Sequence, residues 1–182
     1  MDFQQLFRYC PRCGSVQFHT NNEKSKRCAA CGFVYYINPS AATVGVIVNE
    51  RQELLVVRRA KEPARGTLDL PGGFSDMEET SEEGVRREVM EETGLRVTDV
   101  RFLFSVPNLY RYSDLDIPTL DMFYLCRTQS TQNAQGMDDA AEAMWIPLDK
   151  VDPRDFGLRS IRKGVERLLG EYADKLSNVI QT

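Results

Sequence analysis

Gly73-Phe-Ser-Asp-Met-Glu-Glu79-Thr-Ser-Glu-Glu-Gly-Val-Arg-Arg87-Glu88-Val89-Met-Glu91-Glu92-Thr-Gly94-Leu95 is the stretch whose reading decides the fold. Thr80 followed three residues later by Glu83 has the form of a capping box, and Gly94 is placed to end a helix in the left-handed conformation. The spacing therefore predicts a helix over about 81–93. Glu88 lies i,i+3 from Glu91 and i,i+4 from Glu92, so three carboxylates share one side of that helix. Like charges at these spacings destabilise a bare helix, and near its C-terminus the macrodipole also disfavours them. Something positive must offset this repulsion. Oxygen ligands supplied by carboxylates suit a hard cation such as Mg²⁺ or Mn²⁺.

Outward from the helix, the chain alternates strand and helix signals. Thr67–Leu70 reads as a short strand stopped by Pro71-Gly72-Gly73. Before it, Ala41–Asn49 and Leu54–Arg59 are β-branched, apolar runs separated by Glu50-Arg-Gln-Glu, a hairpin pattern. After it, strands are expected at Val97–Pro107, Thr119–Thr128 and Ala143–Ile146. From about Arg159 to Tyr172, the residues Ile161, Val165, Leu168, Leu169 and Tyr172 fall on one face of an amphipathic helix. The fold class is α+β or α/β, with helices packed on a sheet. Cys126, in the apolar Met122-Phe-Tyr-Leu-Cys, is expected as a small buried core residue.

The N-terminal segment has a different logic. Cys10-Pro-Arg-Cys13 and Cys28-Ala-Ala-Cys31 form two C-x-x-C pairs separated by 14 residues, the spacing of a structural zinc site. Disulfides would need an oxidising compartment, which nothing in the sequence suggests. Gly14 and Gly32 follow each second cysteine, where a tight turn would let backbone N–H groups face thiolate sulfur. Too small to hold together by apolar burial, this segment would draw its folding free energy from Zn²⁺. His19, the sole histidine, is not needed as a ligand. Residues 1–38 are thus expected to form a zinc ribbon and residues 39–182 the main domain, with Tyr35–Pro39 leading from one into the other.

The chain has 182 residues and a formal charge of −4. That length suits one well-buried core plus a small stapled appendage. The first 38 residues hold five cations against two acids, so the remainder carries −7. An acidic body that handles polyanions needs cations or a local basic pocket, and its charge argues against general nucleic-acid binding. No apolar run approaches the ~18 residues of a membrane span. The N-terminus lacks a basic segment followed by an apolar one, so a cytoplasmic location is expected.

The quoted stretch resembles a complete Nudix box, G-x5-E-x7-R-E-U-x-E-E-x-G-U, where U is a bulky apolar residue. Gly73, Glu79, Arg87, Glu88, Val89, Glu91, Glu92, Gly94 and Leu95 fill every defined position. The resemblance extends over about residues 39–182. It implies an α/β/α sandwich around a mixed sheet, in which a loop–helix–loop holds divalent metal, and it implies hydrolysis of nucleoside diphosphates linked to another moiety. By position, Glu88 and Glu92 match the family's principal metal ligands, and Glu91 matches a third carboxylate that binds metal or water. Arg87 matches the arginine that pairs with box carboxylates, Glu79 included, and orients them. A backbone carbonyl at Gly72-Gly73 would be a further ligand. Many relatives use another carboxylate on a later loop before a Trp-containing strand. Here Asp138-Asp139-Ala-Ala-Glu142-Ala-Met-Trp145 offers Asp139 and Glu142 as metal ligand or general base, or as solvated loop acids.

A zinc ribbon before a Nudix domain resembles the NADH pyrophosphatase and ADP-ribose pyrophosphatase groups. The longer N-terminal domain of the NADH pyrophosphatases has no counterpart in these residues. Where they carry Ser-Gln-Pro-Trp-Pro-Phe-Pro after the box, this chain has Ser105-Val-Pro-Asn-Leu-Tyr110-Arg111-Tyr112-Ser-Asp-Leu-Asp-Ile-Pro118. Tyr110 and Tyr112 could stack on a base and Arg111 could reach a phosphate, or the tyrosines could pack in the core or an interface. NADH, ADP-ribose, a nucleotide sugar and a nucleoside triphosphate all fit as the nucleotide substrate. The competing class is a binding module: a nucleotide sensor without turnover, or a basic ribbon that meets RNA ends, a protein or a second copy of the chain.

Overall fold

The computed structural model describes residues 7–131, 134–173 and 176. The chain divides into two compact units.

The first unit comprises Met1–Ser40 with Leu109–Thr119. Its sheet has the order β1 (Phe18–Asn22), β2 (Ser25–Cys28), β3 (Val34–Tyr36), and both pairings are antiparallel. The core is minimal. Cys10, Phe18 and Cys28 are buried, with Phe7, Cys31, Phe33 and Tyr35 packed on them. Gly14 and Gly32 both take positive φ, 72° and 75°. Each sends its N–H back to a cysteine carbonyl, Gly14 to Cys10 at 2.8 Å and Gly32 to Cys28 at 2.9 Å. These glycines close the knuckles through carbonyls, because the left-handed turn folds the chain back on the residue four before, and the N–H groups of Ala30 and Cys31 turn to the Cys28 sulfur. The Tyr35–Pro39 connection also contributes β3, since Lys26 and Arg27 pair with Tyr35 and Val34.

The second unit, Ala41–Asn108 with Leu120–Thr182, is the sandwich. One sheet runs β7 (Gly72–Phe74), β4 (Ser40–Val46), β9 (Leu115–Thr128), β8 (Val97–Tyr112). The other runs β10 (Ala140–Pro147), β5 (Glu53–Arg59), β6 (Leu68–Asp69). Alternation along β4 and the residue after it, and along β5, separates two cores. Val44, Val46, Leu54 and Val56 face one cluster with Phe123, Ile161, Val165 and Leu168. Ile47 and Leu55 face the other, with Val85, Val89, Leu95 and Cys126. Helix α1 (Ser81–Thr93) covers the second face and α2 (Arg159–Glu171) the first, giving the three α/β/α layers. On the sheet side, a Cβ at Gly45 would lie 2.7 Å from Val89 Cγ2. On the helix side, a Cβ at Gly164 would lie 2.2 Å from the Phe123 ring. Each helix thus seats at a position where a side chain is missing.

The α1 caps match their expectation. Thr80 and Glu83 make the reciprocal capping box, and Gly94 has φ 69°. Cys126 is buried, and burial pushes its thiol up to about 12. The segment between Pro107 and Thr119 differs. It continues as strand to Tyr112 and resumes at Leu115, closing on Ser113-Asp114 with φ of 47° and 63°. That is the two-residue mirror-image turn favoured by twisted hairpins, made here without glycine. Pro107 is tolerated because β8 is an edge strand.

Candidate active site

Arg87 gathers Glu88 and Glu91 of helix α1 and Glu79 of the loop before it. Arg87 Nη1 donates to Glu88 Oε1 at 2.8 Å and to Glu91 Oε2 at 3.0 Å. Its Nη2 donates to Glu79 Oε1 at 2.8 Å and to the Phe74 carbonyl at 3.1 Å, and its Nε to Glu79 Oε2 at 3.2 Å. One planar fork therefore hydrogen-bonds three carboxylates, has a fourth, Asp76, 3.5 Å from its Nε, and ties the loop before the helix to the helix itself. Hydrogen bonding from Arg87 holds the Glu79 carboxyl below its usual range.

Glu92 stands apart from this fork and is only 8% exposed. Its Oε2 accepts from the Gly72 N–H at 3.0 Å. Burial pushes its pKa up to about 8 against that hydrogen bond, with Asp69, Glu88 and Asp139 adding repulsion. Burial likewise raises Glu88 in spite of Arg87, and Asp69 in spite of Arg59 at 2.6 Å. Asp69 has no place in the sequence reading. Its only signal was an acid between Leu68 and Leu70 in an otherwise apolar strand. Two glycines permit the approach of backbone to acids. A Cβ at Gly72, whose φ is 158°, would fall 2.1 Å from the Thr43 carbonyl oxygen, and one at Gly73 would fall 2.5 Å from Glu88 Oε1.

This donor set fits a hard divalent cation. It is oxygen-rich, its buried Glu92 carboxylate makes no ion pair among the described residues, and Thr43 Oγ1 lies buried without a hydrogen-bond partner there. Among the described residues, however, the four cysteines are the one group of three or more such side chains whose ligand atoms are gathered. Glu88 and Glu91 share the Arg87 Nη1, and Glu92 is held on the Gly72 N–H.

A pH effect follows. Glu92, Glu88 and Asp69 bind protons more tightly folded than unfolded. Stability is then fully present below the unfolded value, ~4.3 for glutamate, and is lost as pH rises through the folded one. With no divalent cation added beyond the bound zinc, Tm should fall between pH 5.5 and 8.5, and Mg²⁺ should flatten the slope. A metal-free Tm that holds constant or rises over this window would contradict it.

The later acids are ion-paired. Asp139 sits in the turn before β10 and pairs with Lys61. Glu142 is on β10 itself and not on a loop, opposite Arg58 across an irregularity in the ladder, with Arg58 Nε 3.2 Å from its Oε2. Tyr110, Arg111 and Tyr112 fall in the first unit, whereas the carboxylates fall in the second. Arg111 is engaged by Asp116 at 3.0 Å and Asp114 at 3.6 Å, and Tyr112 is exposed.

The cysteines form the second candidate centre. All four Sγ atoms lie within 4.8 Å of one another, with Cys10–Cys31 and Cys13–Cys28 both at 3.7 Å. A zinc tetrahedron with ~2.3 Å bonds has sulfur–sulfur edges of ~3.8 Å, so the geometry fits that ion. Burial opposes a thiolate at Cys28, but the N–H groups of Cys31 and Ala30 outweigh it and draw the pKa down to about 7.

This combination of a boxed acidic helix on a three-layer sandwich is that of a Nudix hydrolase. The NUDIX domain model matches residues 39–168, and the chain belongs to that family. The NAD-capped RNA hydrolase NudC of Vibrio vulnificus is 28% identical over 149 residues, covering 82% of this chain and 54% of the relative. That of Haemophilus influenzae is 28% identical over 155 residues, covering 83% and 55%. The chain thus spans about half the length of the curated relatives it matches. Among solved structures, a NUDIX hydrolase from Nitrosomonas europaea superposes with a TM-score of 0.69 at 21% identity, over 92% of this chain and 93% of the other. The NUDIX domain of Shewanella oneidensis NrtR, solved with ADP-ribose, gives 0.61 at 23% identity, over 74% and 89%.

Proposed function

We propose that the chain is a Mg²⁺- or Mn²⁺-dependent pyrophosphohydrolase that splits the diphosphate of a nucleoside diphosphate linked to a second moiety. The observation that carries this reading is the buried, cation-deficient Glu92 beside the Arg87-bridged acids. Glu88, Glu91, Glu92 and the Gly72 carbonyl would hold the cation, and Arg87 with Glu79 would orient them. The cation, when bound, screens the substrate's charge and acidifies water. Water oxygen attacks a phosphorus, the bridging P–O bond breaks, and the water proton passes to a carboxylate. The products are a nucleoside monophosphate and a second phosphorylated fragment. The relatives' names favour NAD-type dinucleotides and NAD-capped RNA ends over sugar nucleotides and triphosphates. In the ribbon, Cys10, Cys13, Cys28 and Cys31 would hold a structural zinc with no open position for substrate.

The test is a Mg²⁺-dependent hydrolysis screen over NADH, NAD-capped RNA, ADP-ribose, nucleotide sugars and triphosphates in ¹⁸O water. Label should enter one phosphate product. Tight ADP-ribose or dinucleotide binding without any turnover would establish a sensor instead.

For the general base, Asp139 and Glu142 would act from outside α1, each already accompanied by a cation, Lys61 and Arg58, and this favours them over Glu91. Asp139→Asn or Glu142→Gln should lower kcat about 10²-fold or more with Mn²⁺ affinity unchanged. If both variants keep near-parent kcat while Glu91→Gln loses it, the proton goes to Glu91.

A further inference from the structure

Thr43 lies on β4 directly opposite Gly73 on β7 in the antiparallel ladder. Directly opposed residues project to the same face of a sheet. On that face Gly73 abuts the Glu88 carboxylate, and Gly45, two residues beyond Thr43, abuts Val89. Both neighbours report α1 overhead, so Thr43 faces the helix beside Glu88. The residue is wholly buried, and its Oγ1 has no hydrogen-bond partner. Packing does not call for that hydroxyl, since valine has the same shape and β4 already uses Val44 and Val46.

We propose that Thr43 is a positioning residue for the cation site. When Glu88 turns from Arg87 towards a divalent cation, the Thr43 hydroxyl donates to the Glu88 oxygen facing the sheet and leaves the other oxygen directed outward. This rests on the reading that the α1 carboxylates hold the cation.

The test is Mn²⁺ titration of the full chain, dialysed free of loosely held divalent cations with its cysteine-bound zinc kept, with free Mn²⁺ followed by electron paramagnetic resonance, for the parent, Thr43→Val and Thr43→Ser. Thr43→Val should weaken Mn²⁺ binding about tenfold, the scale set by outer-shell partners of metal ligands. Thr43→Ser should stay within about twofold of the parent. The metal-free Tm of Thr43→Val should equal or exceed the parent's, because an unpaired buried hydroxyl is removed. Unchanged Mn²⁺ affinity in Thr43→Val overturns the proposal. So does a serine variant that falls with the valine one, or a metal-free Tm that drops in Thr43→Val, because each marks a packing role. A parent that binds no Mn²⁺ removes the cation reading itself and the proposal with it.

Discussion

Glu92→Gln should lower kcat by about 10³-fold or more and, in the same protein, raise the Tm measured at pH 8 with no divalent cation added. The two effects would have opposite signs because the carboxylate proposed as a cation ligand is buried at the expense of the fold. Glu92 is buried, its charged form is opposed by desolvation and by three acids, and the Gly72 N–H donates to it. Glutamine keeps the volume and can accept that N–H through its amide oxygen, so the fold loses a penalty and little else. The cation would lose a charged ligand. Measured by steady-state kinetics and thermal melts, near-parent turnover would refute the ligand assignment. A fall in metal-free Tm would refute the account of its burial.

The second large effect concerns the cysteines. One zinc per chain should be found by elemental analysis, and Cys28→Ser should unfold the first unit. Beyond the four thiols, its buried core has little besides Phe18. Structural zinc supplies ~10–16 kcal/mol in comparable small sites, far more than that core can provide. Limited proteolysis should then cut between residues 7 and 40 in the variant and spare that segment in the parent. Protease resistance in a zinc-free variant, or a disulfide among these cysteines, would overturn the zinc reading.

What the sequence disclosed was whatever is local. The capping box and Gly94 fixed α1 at both ends, and the 3.6-residue rhythm from Ile161 to Leu168 fixed the buried face of α2. The C-x-x-C pairs located the thiol cluster, because short knuckles leave few geometries open. What stayed hidden depends on contacts between distant residues. Ser113-Asp114 carries no glycine, so the turn that extends β8 and β9 gave no signal. Gly72–Phe74 looked like a strand stop and becomes β7 only through its ladder with β4. Asp69 matters because Glu92, far along the chain, is near enough to feel its charge. Glu142 looked like a loop acid until Arg58 appeared across the ladder.

Gly45 carries a consequence for transplantation. The acidic box reads as a self-sufficient cassette from Gly73 to Leu95, yet its helix rests on a strand position outside it, where any Cβ would run into Val89. Moved onto a sheet with alanine or larger at that spot, α1 would have to ride higher, and the carboxylates would be carried away from the Gly72-Gly73 backbone. A graft of the box therefore needs its glycine seat as well. A box found over a strand lacking that seat must use a different packing to reach the same place.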